Sequence, residues 1–240
     1  MQILKSIHSA ATSSQKRFVL IGGHALNIHG IMRATGDIDI MVEAQDSVFW
    51  RELLQKLGYE IFHESSAFMQ SKPKELDAWP IDLMLVDANT ISKALSDATT
   101  TEVFGPPLRV ASVTSLIAMK LHALKLVDAV RALKDQSDLF GLLELAGMTV
   151  DSEPFRQMCE QYGTIEIYER LTAIKKAEMV TESPKTLLNL PNGSSFTSQS
   201  VKVDIKEMIA LSEKLLPISN SRPDFIERKR SSAIPVRFIL

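Results

Sequence analysis

Two aspartates, Asp37 and Asp39, sit in a run that otherwise reads as a β-strand, and few folds tolerate that arrangement. Residues 37–42 (DIDIMV) alternate polar and apolar before an apolar end, the pattern of a strand. Aspartate is depleted in strands because its side chain competes with the backbone for hydrogen bonds. Two positions apart on a strand, both carboxylates face the same side, ~7 Å from each other. Like charges held so closely repel. Two readings are open on this evidence. One is an exposed edge strand whose charges discourage edge-to-edge pairing. The other is a pair of acids with a cation between them.

Three further features bear on the second reading. Asp82 is a lone acid in another apolar strand, residues 81–86 (IDLMLV), preceded by Pro80. If that strand neighbours the first, three carboxylates meet, a set able to hold two metal ions. Ligation by oxygen alone suits magnesium (or manganese), bound through carboxylates together with substrate phosphates. Upstream, residues 17–21 (RFVLI) read as a buried strand ending at Gly22-Gly23, with a short helix over 24–29. Two glycines between a strand and a helix let backbone N–H groups approach a phosphate. Arg33 and Thr35 stand just before the acids, and a guanidinium suits bidentate phosphate contact. The spacing is not a dinucleotide-binding fingerprint, because Gly22-Gly23 followed by Gly30 fails G-x-G-x-x-G.

The remaining pattern divides the chain. A helix is expected from Asp46 or Ser47 to Leu57, stopped by Gly58, with short strands over 59–63 and 67–70. From Ser112 to about Ala146 the period turns helical, with Ser112 as cap, Gly147 as stop and a break near Asp135 or Asp138. Helices are expected over 152–162, 165–180 and 203–216, with a polar loop over 181–200. The expected fold class is therefore an α/β (α+β) domain with a short mixed sheet over 1–109. A mostly α-helical domain follows over 110–216, then a tail over 217–240.

Composition narrows the setting. With 45% hydrophobic and 23% charged residues in 240, the chain is an ordinary globular protein able to bury a sizeable core. A net charge of −2 offers no bulk attraction to nucleic acid. The single cysteine, Cys159, excludes an internal disulfide and reads as a small buried residue. No apolar run approaches the ~20 residues of a membrane span, and the N-terminus lacks the apolar region of a signal peptide. The expectation is a cytoplasmic protein with no membrane partner; its oligomeric state is not readable.

Gly22-Gly23, thirteen intervening residues and then Asp37-Ile-Asp39 resemble the signature of the DNA polymerase β-like nucleotidyltransferase superfamily. Ile21-Gly-Gly-His-Ala25 with Arg33-Ala-Thr-Gly-Asp-Ile-Asp39 is similar to its small bacterial branch of antibiotic nucleotidyltransferases and of abortive-infection and toxin–antitoxin toxins. Met119-Lys120 and Arg131-Ala-Leu-Lys134-Asp135-Gln-Ser-Asp138 resemble a lysine-bearing helix and an R-x-K-D-x-x-D segment of such proteins, a region that often faces the nucleotide. The resemblance covers roughly residues 17–145. It implies transfer of a nucleoside monophosphate from a nucleoside triphosphate, ATP among them, to a hydroxyl or phosphate acceptor. Asp37, Asp39 and Asp82 would be the metal and catalytic residues. Gly22, Gly23, Arg33, Thr35, Lys120 and Lys134 would meet the nucleotide. Acceptors in this class include small molecules, tRNA and proteins, and a toxin would have an antitoxin partner. Gly23 departs from the family's frequent serine, which removes a hydroxyl from the phosphate loop.

Each feature also has a plainer reading. The fold can carry a non-enzymatic nucleotide- or partner-binding module. Lys120 can be a solvated helix lysine. Arg131 with Asp135, and Lys134 with Asp138, can be i,i+4 pairs that only support a helix. His24 reads more simply as a packed histidine than as a catalyst.

Overall fold

A computed structural model describes residues 2–75, 78–125 and 129–182. The expected loop over 181–200 lies almost wholly outside these residues, and the helix over 203–216 and the tail lie wholly outside them. The chain opens with helix α1 (Gln2–Ser13), whose Leu4, Ile7 and Ala11 form one buried stripe. Strand β1 (Phe18–Leu20) leads into helix α2 (Gly22–Ile28), and strand β2 (Ile38–Glu43) follows. After a 3₁₀ turn over Ala44–Asp46 come helix α3 (Ser47–Lys56), the strands β3 (Tyr59–Glu64) and β4 (Phe68–Pro73), and strand β5 (Ile81–Val86). Helix α4 (Ala88–Ser96) precedes two three-residue strands, β6 (Thr99–Thr101) and β7 (Leu108–Val110). Helices α5 (Val113–Ala123), α6 (Ala129–Leu145), α7 (Glu153–Tyr162) and α8 (Ile165–Glu182) complete the described chain.

The sheet is mixed, in the order β3-β4-β5-β2-β1-β7-β6. β2 is parallel to β5 and antiparallel to β1, which places the start of β2, the start of β5 and the end of β1 at one edge. Central position explains composition. β1 is buried at all three residues, as a strand flanked on both sides and covered must be. In β5 the alternating residues Ile81, Leu83 and Leu85 are buried, whereas Asp82 and Met84 on the other face are only half-buried. α2 and α4 pack beside β2, and α3 beside β3. The fold is the expected α/β sheet followed by helices, and one continuous core runs from Leu4 of α1 through the sheet to Leu171 of α8.

One expectation is corrected. The long helical stretch does not break at Asp135 or Asp138. α5 ends at Ala123, with Leu124 and Lys125 in a turn, and both aspartates lie inside the uninterrupted α6. They act neither as caps nor as breakers, because their carboxylates pair with cations from other elements (below). Ser112 caps α5 as expected, its hydroxyl accepting from the Ser115 N–H at 3.0 Å. α1, α4, β6 and β7 are additional to the elements expected from sequence.

Candidate active site

The parallel register of β2 and β5 pairs Asp39 with Asp82 directly, so their side chains share a face on adjacent strands. Asp37 lies at a bend one residue before β2 and reaches the same place. One carboxylate oxygen from each of Asp37, Asp39 and Asp82 lies within 4.8 Å of the others. Each carboxylate receives a neutral donor. The Thr35 hydroxyl donates to Asp37 Oδ1 at 2.8 Å, and Gln70, opposite Asp82 on β4, donates through Nε2 to its Oδ2 at 2.7 Å. The Gly23 backbone N–H donates to Asp39.

These donors do not balance three like charges. Burial, then Asp37, then Asp82 push the Asp39 carboxyl from its ordinary 3.8 up to about 6, against the opposing effects of the Gly23 N–H and Arg33. A carboxylate that burial and its neighbours hold against ionisation favours any cation that enters. Three oxygen donors at this spacing fit a hard divalent ion of the magnesium or manganese type.

The two glycines are explained by close approach. Gly22 has φ +64°, a left-handed conformation that side chains disfavour, and a Cβ there would overlap the Asp39 carboxylate. A Cβ on Gly23 would meet Thr35 Oγ1 at 2.5 Å. The Thr35 hydroxyl therefore occupies the space a serine side chain would need at position 23, and it is spent on orienting Asp37. The Gly23 departure and Thr35 are two halves of one local arrangement.

Arg33 acts on Asp39 through its charge, and two acids from α6 meet both Arg33 and Lys120. Lys120 Nζ contacts Asp135 Oδ1 at 2.7 Å and Asp138 Oδ2 at 2.6 Å, while an Arg33 terminal nitrogen contacts the same Asp138 oxygen at 2.6 Å. Two cations and two anions close a largely buried network spanning β2's approach loop, α5 and α6. Inside it, Arg33 Nε and Asp135 Oδ2 are buried without a hydrogen-bond partner among the described residues. Asn27 of α2 fixes the loop, accepting from the Arg33 N–H at 2.8 Å and donating to the Arg33 carbonyl at 3.0 Å. Lys134 is not part of this network: it is exposed on α6.

His24 follows Gly23 directly. It is 5% exposed, its ring stacks on Trp79 at 4.8 Å, and Phe104 meets it edge-on at 5.7 Å. Burial lowers its pKa, with Asp37 pulling the other way. Sequence reasoning missed Asn27, Gln70 and Trp79. Gln70 is legible only once β4 is known to lie beside β5, and Asn27 only once the loop folds back. The bulky Trp79, two residues before the Asp82 strand, was a signal available in the sequence.

No protein-family model matches the chain, and no curated protein matches it. Among solved structures it is similar to the antibiotic-resistance factor ANT(2'')-Ia, at 17% identity over 75% of this chain and 92% of that one, with a TM-score of 0.45. It is also similar to the lincomycin-bound lincosamide antibiotic adenylyltransferase LnuA, at 17% identity over 59% and 95% with a TM-score of 0.44. An antigenic nucleotidyltransferase-like protein from Paracoccidioides brasiliensis gives 15% identity over 75% and 89%, with a TM-score of 0.49. No described helix is long and apolar enough to cross a membrane.

Proposed function

We propose that the chain is a metal-dependent nucleotidyltransferase that moves a nucleoside monophosphate from a nucleoside triphosphate to a hydroxyl or phosphate acceptor, releasing pyrophosphate. The observation that carries this reading is the convergence of Asp37, Asp39 and Asp82 at one sheet edge, with Gly22 and Gly23 packed against it. Asp37, Asp39 and Asp82 would hold the ion. When bound, a divalent cation offsets the charge of the triphosphate and of the oxygens entering and leaving phosphorus. The protein's own part is positional. Gly22 and Gly23 let this turn pack directly against Asp39 and Thr35, which would bring its backbone close to a bound triphosphate. Thr35 orients Asp37, and Gln70 orients Asp82. Asp82 would accept the acceptor's proton. The orphaned Arg33 Nε is a buried donor beside the carboxylates, and phosphate oxygen is its natural acceptor.

A second reading is favoured by one observation. Arg33 and Lys120, the cations expected on phosphate, are already engaged by Asp135 and Asp138. A nucleotide- or partner-binding module would need no more than that. The two readings separate on one assay. The protein is incubated with each labelled triphosphate, Mg²⁺ or Mn²⁺, and small-molecule, tRNA and protein acceptors, beside an Asp37→Ala/Asp39→Ala variant. Transferred label that the variant loses supports the enzyme. Absence of transfer, with nucleotide binding unchanged by EDTA and by the variant, sinks it in favour of the module. An antitoxin partner remains part of the proposal only if transfer to tRNA or protein is found.

A further inference from the structure

Trp79 is fixed in place. Its indole stacks on His24 at 4.8 Å with an interplanar angle of 18°, and His24 is braced by Phe104. Its carbonyl accepts the Tyr59 hydroxyl at 2.9 Å, and the next residue's carbonyl, Pro80 O, accepts the Ile38 N–H of β2 at 2.9 Å. The indole is nevertheless 38% exposed, whereas the chain's other tryptophan, Trp50, is wholly buried. It stands at the same sheet edge as the carboxylates: Ile38, whose N–H Pro80 O accepts, lies between Asp37 and Asp39, and the indole stacks on His24, which adjoins Gly23. A large apolar ring held rigid and partly exposed beside a polar site is a surface for another flat ring. His24 Nε2, buried and without a hydrogen-bond partner among the described residues, adds a polar atom behind that ring.

We infer that Trp79, backed by His24, is a stacking platform for a nucleobase at the entrance to the carboxylate site. The inference rests on the nucleotidyltransferase reading and adds a ligand contact to it. Such stacking tolerates any base, since every base offers a π-face, so it supplies affinity without choosing among ATP, CTP, GTP and UTP. The base can belong to the incoming triphosphate or to the terminal nucleotide of a nucleic-acid acceptor, and the experiment separates these sources.

The full-length protein supplies its own probe, because Trp50 is shielded and Trp79 is not. Tryptophan emission is followed while the wild type, Trp79→Phe and Trp79→Leu are titrated with each nucleoside triphosphate in Mg²⁺, with inorganic triphosphate, and with a single-stranded trinucleotide. Calorimetry runs in parallel, and Trp50 emission confirms that the variants fold. Quenching by nucleoside triphosphates, with affinity about tenfold weaker in Trp79→Leu and less affected in Trp79→Phe, assigns the platform to the incoming base. Quenching and affinity loss confined to the trinucleotide assign it to the acceptor's base. Inorganic triphosphate should bind the wild type and both variants alike. Nucleotides that bind in Mg²⁺ with no quenching and equal affinity in Trp79→Leu overturn the platform and leave the nucleotidyltransferase reading standing. If no nucleotide binds at all, both fall.

Discussion

Asp37, Asp39 and Asp82 receive neutral donors from Thr35, the Gly23 N–H and Gln70, whereas Asp135 and Asp138 form ion pairs with an ammonium and a guanidinium. The two clusters differ in what completes them. The α6 acids are completed by the chain itself, so their network is part of the architecture. The sheet-edge acids are crowded and only partly compensated, so Asp39 resists ionisation. A fold selected for stability alone would not place three carboxylates there. The contrast predicts that neutralising an acid has opposite effects on stability in the two places.

The largest effect falls on Asp39. On the proposed function, Asp39→Asn removes a carboxylate that would hold the ion and should lower nucleotidyl transfer by about 10³-fold, the scale of losing several kcal/mol of charge stabilisation. The same change should stabilise the metal-free protein. Asp39 is raised from 3.8 to about 6 in the fold, so the folded state binds its proton more tightly than the unfolded chain. Wild-type stability from this group is therefore greatest below pH 4, falls as pH rises toward 6 and is flat above, by on the order of 3 kcal/mol in all. Chemical denaturation in EDTA from pH 4 to 8 reads this directly. A wild type and an Asp39→Asn variant with parallel pH profiles would show that the carboxylate is not crowded as described. In the presence of Mg²⁺ the wild type should recover more stability than the variant.

Asp138→Ala should go the other way. It leaves Arg33 and Lys120 without their shared carboxylate in a largely buried setting, at a cost of about 3–5 kcal/mol. Loss below ~1 kcal/mol by denaturant unfolding would place the network among surface pairs of little consequence.

A smaller effect tests the glycine–threonine arrangement. Gly23→Ser should destabilise by about 1–3 kcal/mol, because its Cβ meets Thr35 Oγ1. Adding Thr35→Gly should restore most of that loss. If Gly23→Ser is neutral by itself, the loop has more room than the 2.5 Å approach allows.

Local pattern carried much of this fold. The strand over 81–86 is found with the bounds its alternation gives, and Asp37, Asp39 and Asp82 were readable because acids in apolar strands conflict with their surroundings. α1 shows the limit: Leu4, Ile7 and Ala11 have helical spacing, but Lys, Ser and His between them blur the signal over 12 residues. β6 and β7, at three residues each, are too short for any period to appear. The charge network was least legible. Arg33 and Asp138 are 105 positions apart, and their pairing depends on how α6 lies against the loop before β2. From sequence, Asp135 and Asp138 could be matched only with Arg131 and Lys134, the neighbours a helix supplies.

Lys134 sharpens the comparison at its weakest end. It lies one residue before Asp135, about 100° around α6, and is exposed, while Asp135 is buried against Lys120. One helix therefore presents an engaged face and a solvated one. Lys134→Ala should change stability by less than ~0.5 kcal/mol, whereas Lys120→Ala, which removes the cation from buried Asp135 and leaves Asp138 to Arg33 alone, should cost several times more. Nucleotide affinity decides whether Lys134 also serves the substrate. Titration of the Lys134→Ala variant with a triphosphate in Mg²⁺ at two salt concentrations is the measurement. An affinity equal to wild type at both removes Lys134 from the nucleotide-binding set. A salt-sensitive loss of a few-fold shows that the exposed face of α6 attracts the triphosphate through solvent, without the contacts that Arg33 and Lys120 can offer at closer range.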